Sequence, residues 1–200
     1  MKSNWTKAMK PMTRMWLRVR RSALDLSDDC RGLAAIEFAM ILPLMLVLFF
    51  GVVEFATGIA VDRKVTLMAR TLSDLTSQNI SVTDSQLTNI FNASVGIMSP
   101  YSTTPVNSTI TELYVDPTTK AARVQWSKGS SPRGAGTSVA IPSALQVGDT
   151  YLIYSEVSYN YVPNIGFVMS KSGINMSDFT YTRPRQSTCV MYNTAACTKT

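Results

Sequence analysis

Residues 33–61 read LAAIEFAMILPLMLVLFFGVVEFATGIAV, and this stretch decides the fold. From Phe38 to Val53 it runs sixteen residues without a charge, and over its full length it holds only two ionisable groups, Glu37 and Glu54. As an α-helix these 29 positions extend about 43 Å, enough to cross a bilayer. Pro43 sits inside the run, where its missing N–H and ring clash predict a kink or a local loosening that membrane helices tolerate. Gly51 and Gly58 lack the spacing of a helix-dimerisation motif and read as ordinary membrane glycines.

The flanks give the run a direction. Residues 1–32 carry eight basic side chains against three acids, and the remaining 168 residues carry eleven against ten. The positive-inside bias therefore places the N-terminus in the cytoplasm and residues 62–200 outside. A protein that grips nucleic acid needs its cations on a folded face, whereas here they precede an apolar segment, so no nucleic-acid partner is expected. Two hundred residues, 46% hydrophobic and 16% charged, suit one modest domain with a membrane segment attached.

Catalytic chemistry finds little to use. The chain has no His, which excludes Ser-His-Asp catalysis, Cys-His pairs and His-liganded zinc. Gly129-Ser-Ser-Pro-Arg-Gly-Ala-Gly136 lacks the Gly-Lys-Ser/Thr ending of a phosphate loop and reads as a flexible loop. Asp116, Asp149, Glu156 and Asp178 show no acid–base spacing, and solvation accounts for them. No catalytic residue, cofactor or metal is expected, and the chain does not read as an enzyme.

Glu37 is the sharpest feature. A carboxylate inside an apolar helix costs about 2.5–3.5 kcal/mol at bilayer centre. Either it lies at headgroup depth, where the penalty is small, or a cation offsets it, supplied by a partner subunit or by a chain terminus created beside it. Glu54, about 25 Å further along the axis, reads as a marker of the far interface.

The surrounding residues, Arg31-Gly32-Leu33-Ala34-Ala35-Ile36-Glu37-Phe38, resemble the cleavage motif of type IV prepilins. The sequence that follows is similar to the TadE family of pseudopilins from tight-adherence (Flp-type) pilus systems, over residues 31 to about 70. The resemblance implies scission between Gly32 and Leu33 by a prepilin peptidase on the cytoplasmic side, with Glu37 and Phe38 as assembly residues. It also implies, as partners, other pilins or pseudopilins and the Tad assembly platform. A glycine at the cut lets extended backbone enter a cleft without a side-chain clash. Scission would leave a cationic amine on Leu33, about 6 Å along the axis from Glu37, and in an array of helices that amine and a neighbour's carboxylate neutralise each other and set axial register. Two other readings of the same run stay open: a plain uncleaved anchor carrying a periplasmic binding module, and a secretory signal cut near Gly58 and Ala60.

Beyond the membrane the helical period continues through Val61, Val65, Met68, Leu72 and Leu75, predicting one long helix to about Gln78. A second helix is expected over about Asp84 to Met98, with Thr83 as N-cap and Leu87, Ile90, Phe91 and Val95 on its apolar face. After Pro100 the texture is β: a hairpin from Thr111–Asp116 and Ala122–Ser127 around the turn Pro117–Lys120, a strand or strand pair over Thr150–Val162, and a last strand near Phe179–Thr182. Tyr151, Ile153, Val157, Tyr159 and Tyr161 fall on one face, opposite Glu156, Ser158 and Asn160. The sum is an α+β fold, a long helix with a membrane half and a periplasmic half laid on a small antiparallel sheet. This order is similar to pseudopilins.

The expected organisation is a basic leader over 1–32, a membrane helix over 33–61 and a periplasmic domain over 62–200 of a single-pass inner-membrane protein. Cys30 falls in the reducing compartment, while Cys189 and Cys197 fall in the oxidising one and are the expected disulfide.

Overall fold

The computed structural model describes residues 31–163 and 172–199; the leader expected over 1–32 therefore lies almost wholly outside the described residues, Cys30 included. Helix α1 spans Arg31–Ser77, 47 residues, and continues through Pro43 without a break. The chain divides into two compact units, up to Phe50 and from Gly51 onward.

In the first unit every residue from Gly32 to Phe49 is exposed. Leu, Met and Ala supply good helix propensity there, and the side chains face outward all round the helix, as lipid-facing residues do. The segment is long and apolar enough to cross a membrane.

The second unit begins ahead of the 61/62 boundary that hydropathy sets. Glu54, Gly58, Val61, Val65, Met68 and Leu72 are buried, a three-and-four spacing that forms one continuous stripe on α1. Leu75, expected to end the stripe, is only half-buried, and Ser73, Thr76 and Ser77 are buried in its place. After the two-residue strand β1 (Ser81–Val82) comes helix α2 (Asp84–Val95), which opens on the expected Thr83 N-cap with Gln86 completing a capping box. It buries Leu87 and lays Ile90, Phe91 and Val95 against the core. The last turn expected of it, Gly96–Met98, is a 3-10 helix.

The sheet comprises β2 (Val106–Val115), β3 (Ala122–Gly129), β4 (Ser138–Val139), β5 (Thr150–Tyr161) and β6 (Ile174–Thr182), all antiparallel, in the order β4-β3-β2-β5-β6. Strands β2 and β6 both begin earlier than their β-branched content indicates. β5 holds Val106 opposite Tyr159 and Ile174 opposite Tyr161, so pairing extends strands that propensity alone ends sooner. A final strand β7 (Met191–Tyr192) runs parallel to β1, a pairing that no local pattern announces.

Alternation on β5 works as read. Ile153, Val157, Tyr159 and Tyr161 join Ile110 and Trp126 against the α1 stripe, while Leu152 and Tyr154 join Leu113, Val115 and Val124 in a second cluster on the opposite face. Small residues let helix and sheet approach: the Ser155 hydroxyl donates to the Ala69 carbonyl at 2.7 Å, and Ser73 donates to the Thr182 hydroxyl at 2.8 Å. The result is the expected α+β arrangement of a long helix and an antiparallel sheet.

Candidate functional site in the N-terminal helix

Gly32, Leu33, Glu37 and Phe38 lie in the first two turns of α1. Leu33 and Phe38 are about three-fifths exposed, and Glu37 is exposed as well. Gly32 is helical here, and a Cβ added to it meets no described atom within 4 Å. A glycine inside a helix costs about 1 kcal/mol relative to alanine, and among the described residues no packing contact requires one at position 32.

Glu54 departs from expectation. It is buried, 4% exposed, on the same stripe as Val61 and Val65. Burial first, and then the Glu54 carboxylate, push the Tyr161 phenol above its ordinary range. The signal was available in the sequence: counting back from Val61 by three and then four lands on Gly58 and Glu54.

The acids read as merely solvated all hold specific partners. The Asp116 carboxylate accepts from the Thr118 and Thr119 amides at 2.7 and 2.8 Å, fixing the β2–β3 turn. Asp149 accepts from Tyr114 and pairs with Lys199 at 2.8 Å, and the Asp178 carboxylate accepts from the Phe179 amide. Glu156 takes a bidentate pair from Arg133, with Nη2 to Oε1 at 2.8 Å, and a hydrogen bond from the Tyr154 hydroxyl. Burial pushes the Glu156 carboxyl up, but Arg133 and Tyr154 more than reverse this and hold it below the usual range. Residues 129–136, read as a flexible loop, are tied down by that pair and by the Ser130 amide donating to the Ser108 carbonyl at 2.8 Å. Each of these contacts organises structure.

The sequence also gave no warning about Glu112. It is 1% exposed inside the core and accepts from the Val190 amide at 2.6 Å. Burial raises its carboxyl to about 7, against the opposing pull of the Val190 N–H. The Cys189–Cys197 disulfide forms as expected, with a Cα–Cα separation of 6.4 Å. Glu112 and the two sulfurs lie within 4.8 Å of one another, but bonded sulfurs are not thiolates and supply no metal ligand. Trp126 donates to the Val190 carbonyl at 2.8 Å, so Val190 is held from both its amide and its carbonyl.

No curated protein and no solved structure matches the chain. Residues 32–72, the apolar helix together with most of its buried stripe, match the family model described as TadE-like protein, a likeness that implies association with the Tad pilus and a membrane-anchoring helix.

Proposed function

We propose that this chain is a minor pseudopilin of a Tad-type IV pilus, cut by a prepilin peptidase between Gly32 and Leu33. It is held in the inner membrane by the helix from Leu33 to about Val53, with the residues from Glu54 onward in the periplasm. The observation that carries the reading is a single carboxylate, Glu37, five residues beyond a glycine that no contact among the described residues requires, in an exposed apolar helix that matches the TadE-like family model. The apolar run Leu33–Val53 is about 31 Å long by helix rise, close to the hydrocarbon thickness of a bilayer.

In this reading the leader's cations keep the N-terminus cytoplasmic, and Gly32 admits extended backbone to the peptidase cleft. The new amine on Leu33 faces the Glu37 carboxylate of a neighbouring pilin helix, and Phe38 packs beside it. The buried face of Glu54, Gly58 and Val61 argues against a secretory cut near Ala60, which would strip the first turns of the packed stripe.

Intact mass of the protein recovered from its native membrane tests this. The expected N-terminus is Leu33. Recovery with Met1 in place, from cells with an active peptidase, overturns processing and leaves an uncleaved anchor carrying a periplasmic binding module; an N-terminus at Val61 indicates a secreted domain.

A further inference from the structure

Apolar exposure on α1 does not stop where the membrane run ends. Phe55 is 63% exposed and Ile59 is 41% exposed. These two side chains share a groove of about 490 Å³ with Ile174 and Met176 at the start of β6, and Asp62, Asn175 and Ser177 supply its polar lining, as headgroup-level contact requires. A neighbouring cavity of about 330 Å³ is lined by Tyr101, Tyr161 and Val162 among others, and Val162 is 50% exposed. Tyr161 and Ile174 form the last register pair of β5 and β6, so the groove and the cavity flank the same end of the sheet. Beyond the membrane run, the other large apolar residues exposed among the described residues of this unit, Leu67, Ile80, Val147 and Phe179, line neither.

The level of this rim follows from helix geometry. Phe55 and Ile59 lie about 3 and 9 Å beyond Val53 along the axis, and the headgroup layer outside the hydrocarbon is about 5–8 Å thick. The exposed ring of Phe55 falls within that layer and Ile59 falls at its outer edge, and aromatic and aliphatic side chains at that level suit the membrane interface. The opposite end of the sheet differs in chemistry, with Asp116, Lys120 and the Asp149–Lys199 ion pair gathered at the β2–β3 turn and the approach to β5.

We propose that this rim is a second lipid-contact surface, through which the periplasmic unit rests on the outer leaflet of the membrane that α1 crosses. The occupant is the bilayer surface itself, because Phe55 and Ile59 follow the apolar run by only two and six residues on the same helix. The inference rests on the membrane-spanning reading of α1. It adds that the unit is seated on the lipid at a fixed end and that drawing the subunit out of the membrane must first release Phe55, Ile59 and Val162.

The test uses the full chain in vesicles of phosphatidylethanolamine and phosphatidylglycerol, with Cys30→Ser as background and a fluorophore on Val162→Cys, Val147→Cys or Leu44→Cys. Lipids carry a nitroxide either near the headgroup or near the acyl terminus, and iodide serves as the aqueous quencher. The expected result is that the label at 44 is quenched most by the deep nitroxide. The label at 162 is quenched roughly twofold more by the shallow nitroxide than by the deep one, and the label at 147 is quenched by iodide alone. Equal behaviour at 162 and 147, with the label at 44 still quenched by lipid, overturns the rim contact while leaving the anchor intact. A label at 162 shielded from both nitroxide and iodide also overturns it, since residues 164–171 or a second copy then cover the rim. Loss of lipid quenching at 44 removes the membrane reading, and the rim with it.

Discussion

At the scale of single residues, two carboxylates carry opposite lessons. Glu37 is exposed on an apolar helix, so its contribution lies in what it meets outside the chain. Glu37→Ala is expected to leave insertion and cleavage largely intact and to reduce incorporation into pili, read by counting filaments in electron micrographs; normal piliation refutes the register role. Glu112 is buried and meets only its own fold. Its carboxyl titrates near 7 in the folded chain, against 4.5 for the free group, so the native state binds the extra proton between those values. Its stabilising effect is complete below about pH 4.5 and is lost as pH rises through 7, a change of about 3 kcal/mol. Glu112→Gln keeps an acceptor for the Val190 amide and is expected to flatten that slope, measured by urea midpoints at about pH 5 and about pH 8. The carboxyls held low, Asp116, Asp149 and Glu156, contribute stability above their unfolded range and lose it only as pH falls further, which keeps the two limbs separable.

Among the elements, β3 ends on the tightest backbone approach in the described sheet. Gly129 has a φ of +132°, and a Cβ there would stand 2.2 Å from the Ser108 carbonyl oxygen. Gly129→Ala is expected to cost at least about 2 kcal/mol, through strain and displacement of β2, in a urea titration. The C-terminal segment depends on a different device. It has a two-residue strand pairing, two hydrogen bonds at Val190, side-chain contacts from Tyr192, Thr198 and Lys199 to the rest of the unit, and the Cys189–Cys197 link that closes its end. Reduction is expected to lower stability by about 2–3 kcal/mol, and Cys189→Ser with Cys197→Ser is expected to reproduce the loss without a reductant.

For the whole molecule, function depends on a helix that changes environment along its length, uncovered up to Phe49 and packed from Glu54. In the proposed topology the basic leader sets which side the packed unit occupies. An alkaline phosphatase fused after the last residue is expected to be active in the full chain. Moving the leader's Lys and Arg residues to the far flank of the apolar run is expected to lower that activity severalfold.

How much was legible follows from range. The anchor, the α1 stripe, the Thr83 cap, the alternation on β5 and the compartment of the cysteines are local patterns of period 3.6 or 2, or compositional contrasts. They depend only on residues a few positions apart, so the sequence by itself determined the apolar helix, its stripe, the cap and the strand alternation, and the compartment of the cysteines and the roles of Gly32 and Glu37 stand as proposals read from it. Tertiary structure alone decided the partners that lie far away in the chain: Arg133 reaching Glu156, Ser155 meeting Ala69, β1 pairing with β7, and Glu112 enclosed beside Val190. A charged side chain looks the same in sequence whether water or a buried amide will receive it. Its fate is set by which strand lies opposite and what closes over it, a choice made by the packing of the whole sheet against α1.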